Sequence, residues 1–164
     1  MASSRVIRVS ALVFVVALIC TSCAIRKPRR VSYASIGGYK HVYISPTHPV
    51  NSTTAVSLFD LSIPVSRTAN PRDLIAGAFA KRGYVLLPSL DSSLRGSTIV
   101  VNYGESGRRS VLLWDCAVEV TIQVVSADTG DLLCSVTAEG IGDTEAGAIR
   151  SAVGRAMSAL FAQE

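Results

Sequence analysis

The chain is poor in the residues that usually carry chemistry. In 164 residues it has two histidines, one tryptophan, two methionines and four cysteines, and aromatic side chains make up only 6%. The two histidines, His41 and His48, have no cysteine or carboxylate at ligand spacing, and two ligands leave a zinc site unfinished, so no metal is expected. Gly104-Glu105-Ser106-Gly107 lacks the G-x-S-x-G spacing of a nucleophile elbow and lies between two strands, so it reads as a hairpin loop. With no nucleophile, acid–base pair or phosphate loop, neither an enzyme nor a cofactor is expected. Stacking aromatics do not accompany the basic residues, which argues against nucleic acid as a partner. No apolar run approaches the roughly 20 residues that an α-helix needs to cross the hydrocarbon core.

What the chain does have begins at its N-terminus. An apolar stretch over residues 11–19 follows Arg5 and Arg8 and reaches Cys23 through Thr21 and Ser22. Positive charge, a short apolar run and then small side chains make the pattern of an export signal, so residues 1–22 are expected to be absent from the mature chain. Leu18-Ile19-Cys20-Thr21-Ser22-Cys23 resembles the lipobox of bacterial lipoproteins. The resemblance implies that the Cys23 thiol receives diacylglycerol before cleavage, anchoring the protein to membrane lipid. The chain departs from that pattern at Cys20, where the family has leucine, and Cys20 itself is a poorer acceptor because Ile19 precedes it. Ordinary secretion with cleavage after Ala24 is the competing reading.

The formal net charge of +4 overstates the basicity of the mature protein, because Arg5 and Arg8 leave with the signal. Arg26, Lys27, Arg29 and Arg30 follow the proposed acceptor directly, so the rest is nearly neutral. Such a cluster beside a lipid is expected on the headgroups, at about 1 kcal/mol per residue on an anionic surface; a solvated linker is the alternative. Residues 23–38, ending in Gly37-Gly38, read as a lipidated N-terminus and a basic, flexible tether. Residues 39–164 are long enough for one core and too short for two.

Within that domain, Cys116, Val118, Val120, Ile122 and Val124 alternate with Glu119, Thr121 and Gln123, in a strand over residues 111–125 that also includes Leu112 and Trp114. Ala127-Asp128-Thr129-Gly130-Asp131 is turn chemistry, and Leu132, Cys134, Val136 and Ala138 continue the alternation, giving an antiparallel hairpin with one wet face. Further strands are expected over residues 39–45, 84–87 and 97–103. Asn70 and Pro71 open a helix that Gly83 closes, and a second runs from Asp143 to about Ala162, with Arg150 and Arg155 pointing away from its apolar face. The expected fold is therefore α+β and two-layered: a mainly antiparallel sheet of four to five strands with two helices packed on one face. Residues 46–69 read as either an edge strand or a long surface loop.

Cys116 and Cys134 are expected as free thiols. The hairpin places Cys134 opposite about Val124, and Cys116 then lies roughly 27 Å further along, well beyond disulfide reach. Arg108 and Arg109, with Arg95, are candidates for holding an anionic headgroup or glycan.

The segments Tyr39-Lys40-His41-Val42-Tyr43, Lys81-Arg82-Gly83-Tyr84, Ile99-Val100-Val101-Asn102-Tyr103, Asp128-Thr129-Gly130-Asp131-Leu132 and Ala138-Glu139-Gly140 resemble small uncharacterised envelope lipoproteins of Gram-negative bacteria. That family is described as a domain of unknown function and is similar in architecture to the N-terminal domain of TolB and to lipoprotein activators of cell-wall synthases. The resemblance implies a periplasm-facing outer-membrane protein, in keeping with Ala24 rather than Asp after the acceptor. It also implies an assembly or accessory factor that binds another envelope protein, through a sheet edge or the loop around Phe59. A carrier of a lipid, glycan or peptidoglycan fragment, with its cavity between the sheet and residues 46–69, is the alternative.

Overall fold

The computed structural model describes residues 25–58, 61–111 and 115–162. Cys23, Phe59, Leu112 and Trp114 lie outside them. The described chain runs through β1 (Arg29–Ser32), β2 (His41–Ile44), β3 (Val50–Leu58), β4 (Leu61–Ala69), α1 (Pro71–Ala80), β5 (Val85–Leu87), a 3-10 segment (Ser92–Ser97), β6 (Thr98–Val111), β7 (Asp115–Ser126), β8 (Leu132–Gly142) and α2 (Glu145–Phe161). Six strands make one sheet in the order β1-β8-β7-β6-β2-β5, and β3 and β4 form a ribbon of their own. The fold is mixed α+β with a mainly antiparallel sheet: β2 runs parallel to both β5 and β6, and the other described pairs are antiparallel.

The alternation read in the sequence builds the core. Val118, Val120, Ile122 and Val124 of β7 and Cys134, Val136 and Ala138 of β8 are buried beneath α2, beside Val42, Ile44, Ile99 and Val101. The opposite face is polar and carries the cross-strand Thr121–Thr137 hydroxyl pair at 2.9 Å. In α1 the Asn70 side chain accepts from the Arg72 amide, Pro71 takes the first helical position, and Gly83 supplies the left-handed conformation at φ +84°. Helix α2 starts slightly later than expected, with Thr144 as its cap accepting from the Gly147 amide. It lies so close to β8 that a side-chain carbon on Gly140 would collide with the Ala148 carbonyl oxygen and the Ala152 nitrogen.

Three expectations need correction. The sheet has six strands, because residues 29–32, expected within a flexible tether, pair with β8 from Arg29↔Thr137 to Ser32↔Cys134. A short Arg-Arg-Val-Ser edge strand has no apolar alternation to announce it, and its order comes from backbone pairing. Residues 50–69 are neither an edge strand of the sheet nor a loop: β3 and β4 pair from Val50↔Ala69 to Leu58↔Leu61 and pack chiefly on α2. Residues 104–109 are not a hairpin loop, since β6 continues to Val111 across a bulge between Glu105 and Gly107. Besides α1 and α2 there is the 3-10 segment, whose start Asp91 caps.

Candidate functional site

The pairing of β1 with β8 decides where the N-terminus goes. β1 runs antiparallel to β8, so residues 25–28 pass back along β8 towards the end of the sheet where β6 gives way to β7. There the Arg26 amide donates to Glu139 Oε2 at 3.3 Å. Arg155 of α2 donates to the Arg26 carbonyl at 2.6 Å and to the Glu139 carbonyl. Arg109 of β6 closes the arrangement, with its Nε 2.8 Å and its Nη2 2.6 Å from Glu139 Oε1. A pocket of about 180 Å³ opens beside these groups, lined by Arg26, Arg108, Arg109, Glu119 and Glu139 among others.

Glu139 is the centre of this clamp, with its side chain only 7% exposed. Burial alone would raise its carboxyl; the hydrogen bonds from Arg109 and the Arg26 amide, together with the two guanidinium charges, outweigh burial and hold it below the usual carboxylate range. Nearer the middle of β6, burial and the neighbouring Glu105 carboxylate push the Tyr103 phenol up, and that phenol donates to Glu105 at 3.0 Å.

The sequence-predicted residues are divided among different places. Arg108 and Arg109 are neighbours on a strand and point to opposite faces: Arg108 pairs with Glu145 at the start of α2 at 2.9 Å, and Arg109 with Glu139. Arg95 lies in the 3-10 segment before Thr98, the start of β6, and Thr98 is itself roughly 33 Å along the strand from Arg108. These three arginines therefore do not form one anion site. Arg26 and Lys27 are exposed ahead of β1, whereas Arg29 and Arg30 are part of it. Arg30 Nε and Nη1 are buried without a hydrogen-bond partner, an arrangement unlike a solvated headgroup contact. His41 shares a 2.9 Å hydrogen bond with Ser97, and His48 is exposed. Cys116 and Cys134 are not joined by a disulfide, with Cys134 opposite Val124 and Cys116 opposite Gly142.

The two edges of the sheet carry features that sequence reasoning did not single out. Large apolar side chains exposed by 42 to 69% are Ile25, Val31 and Tyr33 along the β1 edge, and Val85, Leu86 and Leu90 along or just after β5. These side chains therefore gather at the two opposite edges of the six-stranded sheet. The Glu139 clamp was also missed. Its one legible sign is the register of Ser135, Thr137 and Glu139 on the wet face of β8. Among the described residues no helix is long and apolar enough to cross a membrane.

No protein-family model matches the chain, and no curated protein matches its sequence. Solved structures do match its fold. A dodecamer of a PelC point variant from Paraburkholderia phytofirmans superimposes with a TM-score of 0.51 at 15% identity, covering 82% of this chain and 98% of that one. A second PelC dodecamer structure from the same organism gives 0.51 at 14% identity, covering 82% and 96%. At that identity the likeness is one of fold.

Proposed function

We propose that this protein is a lipid-anchored envelope protein without catalytic activity, held to the periplasmic side of the outer membrane through acylated Cys23. Its domain serves as an assembly or accessory factor that binds another envelope protein by strand addition at the β5 edge. The carrying observation is the exposure of Val85 and Leu86 on a strand with one unpaired side, a combination that favours backbone pairing with apolar side-chain contacts. Nothing described favours the carrier alternative, since the ribbon of β3 and β4 packs chiefly on α2 and not over the sheet.

The test is in-cell photo-cross-linking from position 86, with Gln123 on the wet face as control, in wild type and in Cys23→Ala. One envelope protein captured from position 86 and not from 123, and lost in Cys23→Ala, is the expected result. Equal capture from both positions, or none, overturns edge binding. Intact mass should show acyl chains on a chain that begins at Cys23; an unmodified N-terminus at Ile25 overturns the anchor.

A second reading is favoured by the edges together. β1 and β5 run in opposite directions within the sheet, so β5 of one copy beside β1 of the next would form an antiparallel pair and extend the sheet. The PelC structures of similar fold are dodecamers. Cross-links from position 86 to the peptide holding Val31 and Tyr33 of another copy would select self-assembly over a foreign partner.

A further inference from the structure

We infer that the end of the sheet where β6 gives way to β7 rests against the bilayer surface, which fixes the orientation of the domain on its membrane. The inference rests on the lipid-anchor reading above and adds which surface meets the lipid. Three observations carry it.

The first is where the described chain begins. Residues 25–28 descend along β8 towards this end, and Arg26 is level with Glu139. The ladder then continues from Ile141↔Ala117 and Ala117↔Arg109 to Val111↔Asp115 just beyond. The second is the length of chain left over. Only three residue steps separate Arg26 from Cys23, so Cys23 is held within about 10 Å of Arg26, a span that brings an acyl chain within reach of the level of the Val111 and Asp115 backbone but not of the far end of the sheet. The third is that Arg26 is not free to swivel. Its amide and carbonyl are both held, by Glu139 and by Arg155.

Exposed groups at this end include Ile25, Arg26, Lys27, Arg108, Arg109 and Asp143. Arg108 and Arg109 are paired with Glu145 and Glu139, and Asp143 adds a negative charge nearby, so charge is close to balanced. Docking is therefore set by the anchor and the clamp, with Arg26, Lys27 and Arg108 adding headgroup contacts. The turn from β7 to β8, residues 127–131, lies at the opposite end and faces away from the membrane.

The test uses the full-length acylated protein, purified from membranes and reconstituted into phosphatidylethanolamine–phosphatidylglycerol vesicles that carry nitroxide-labelled headgroups. With Cys116 and Cys134 replaced by alanine, a fluorophore is attached through Ser110→Cys or Thr129→Cys. Quenching at position 110 should exceed that at 129 at least twofold, and a ten-residue Gly-Ser insertion between Ala24 and Ile25 should erase the difference. On the unmutated protein, arginine-specific modification should show Arg108 protected by vesicles and Arg95 unchanged, a readout independent of whether the cysteine variants fold. Equal or reversed quenching, or equal protection, in protein whose mass shows acylated Cys23 overturns the inference. Absence of acyl chains at Cys23 overturns the anchor reading instead.

Discussion

Glu139 holds together three parts of the chain that are far apart in sequence. It accepts from Arg109 and from the Arg26 amide, while Arg155 grips its carbonyl. Its carboxyl titrates below the ordinary range when folded, so in acid the unfolded chain takes up its proton first. This contribution to stability is present above the ordinary value of 4.5 and is lost as pH falls through the lower folded value. Glu139→Gln should cost about 1–2 kcal/mol at pH 7, a range reduced because Arg109 is partly exposed. The variant should also show a flatter loss of stability towards acid than wild type, which urea unfolding at pH 7 and pH 4 would measure. Arg30 is the opposite case, a cation whose Nε and Nη1 are buried without partners on an edge strand that needs only its backbone.

Among the elements, α2 and β8 meet backbone to backbone at Gly140 and Gly142. The α2 backbone fills the space a side chain at position 140 would need, so Gly140→Ala must push the helix off the sheet. About 3 kcal/mol of destabilisation is expected, read as a lower urea midpoint with m unchanged. Glycine at 140 looks like an ordinary strand position in the sequence, since the helix that needs the space follows it in the chain. The β7–β8 hairpin is legible because a strict period of two continues through Val118, Val120, Ile122 and Val124. The ends of α1 are legible because Asn70, Pro71 and Gly83 each do a local job. β1 and the β3–β4 ribbon are not, for different reasons. β1 is held by a partner more than 100 residues away, as its neighbouring Arg26–Glu139 bond shows, while β3 and β4 are rich in Ser and Thr and joined by only Phe59-Asp60. Glycines and charges at 104–109 imitate a loop in what is a bulged strand. The candidate site is hidden in the same way as β1: its residues come from positions 26, 109, 139 and 155, and no spacing in the sequence links them.

At the scale of the whole molecule, the first strand of the chain pairs with the last and forms one edge of the sheet. Deleting residues 25–32 from the unacylated protein should lower Tm and uncover the β8 edge, with its buried Val136 and Ala138 beside it. Light scattering that rises with protein concentration would report the exposed edge, and a variant with unchanged Tm and no scattering would show β1 to be dispensable. The bond between Arg155 and the Arg26 carbonyl spans 129 residues, so on the export reading the segment that crosses the inner membrane first finds its place last. On that reading the N-terminal end has no partner until β8 and α2 arrive, and β1 can dock only when almost the whole chain has crossed. On the same reading, completion of the sheet marks the chain as whole: a copy cut short before residue 132 would still be acylated at Cys23, yet without β8 it could not clamp its own N-terminus.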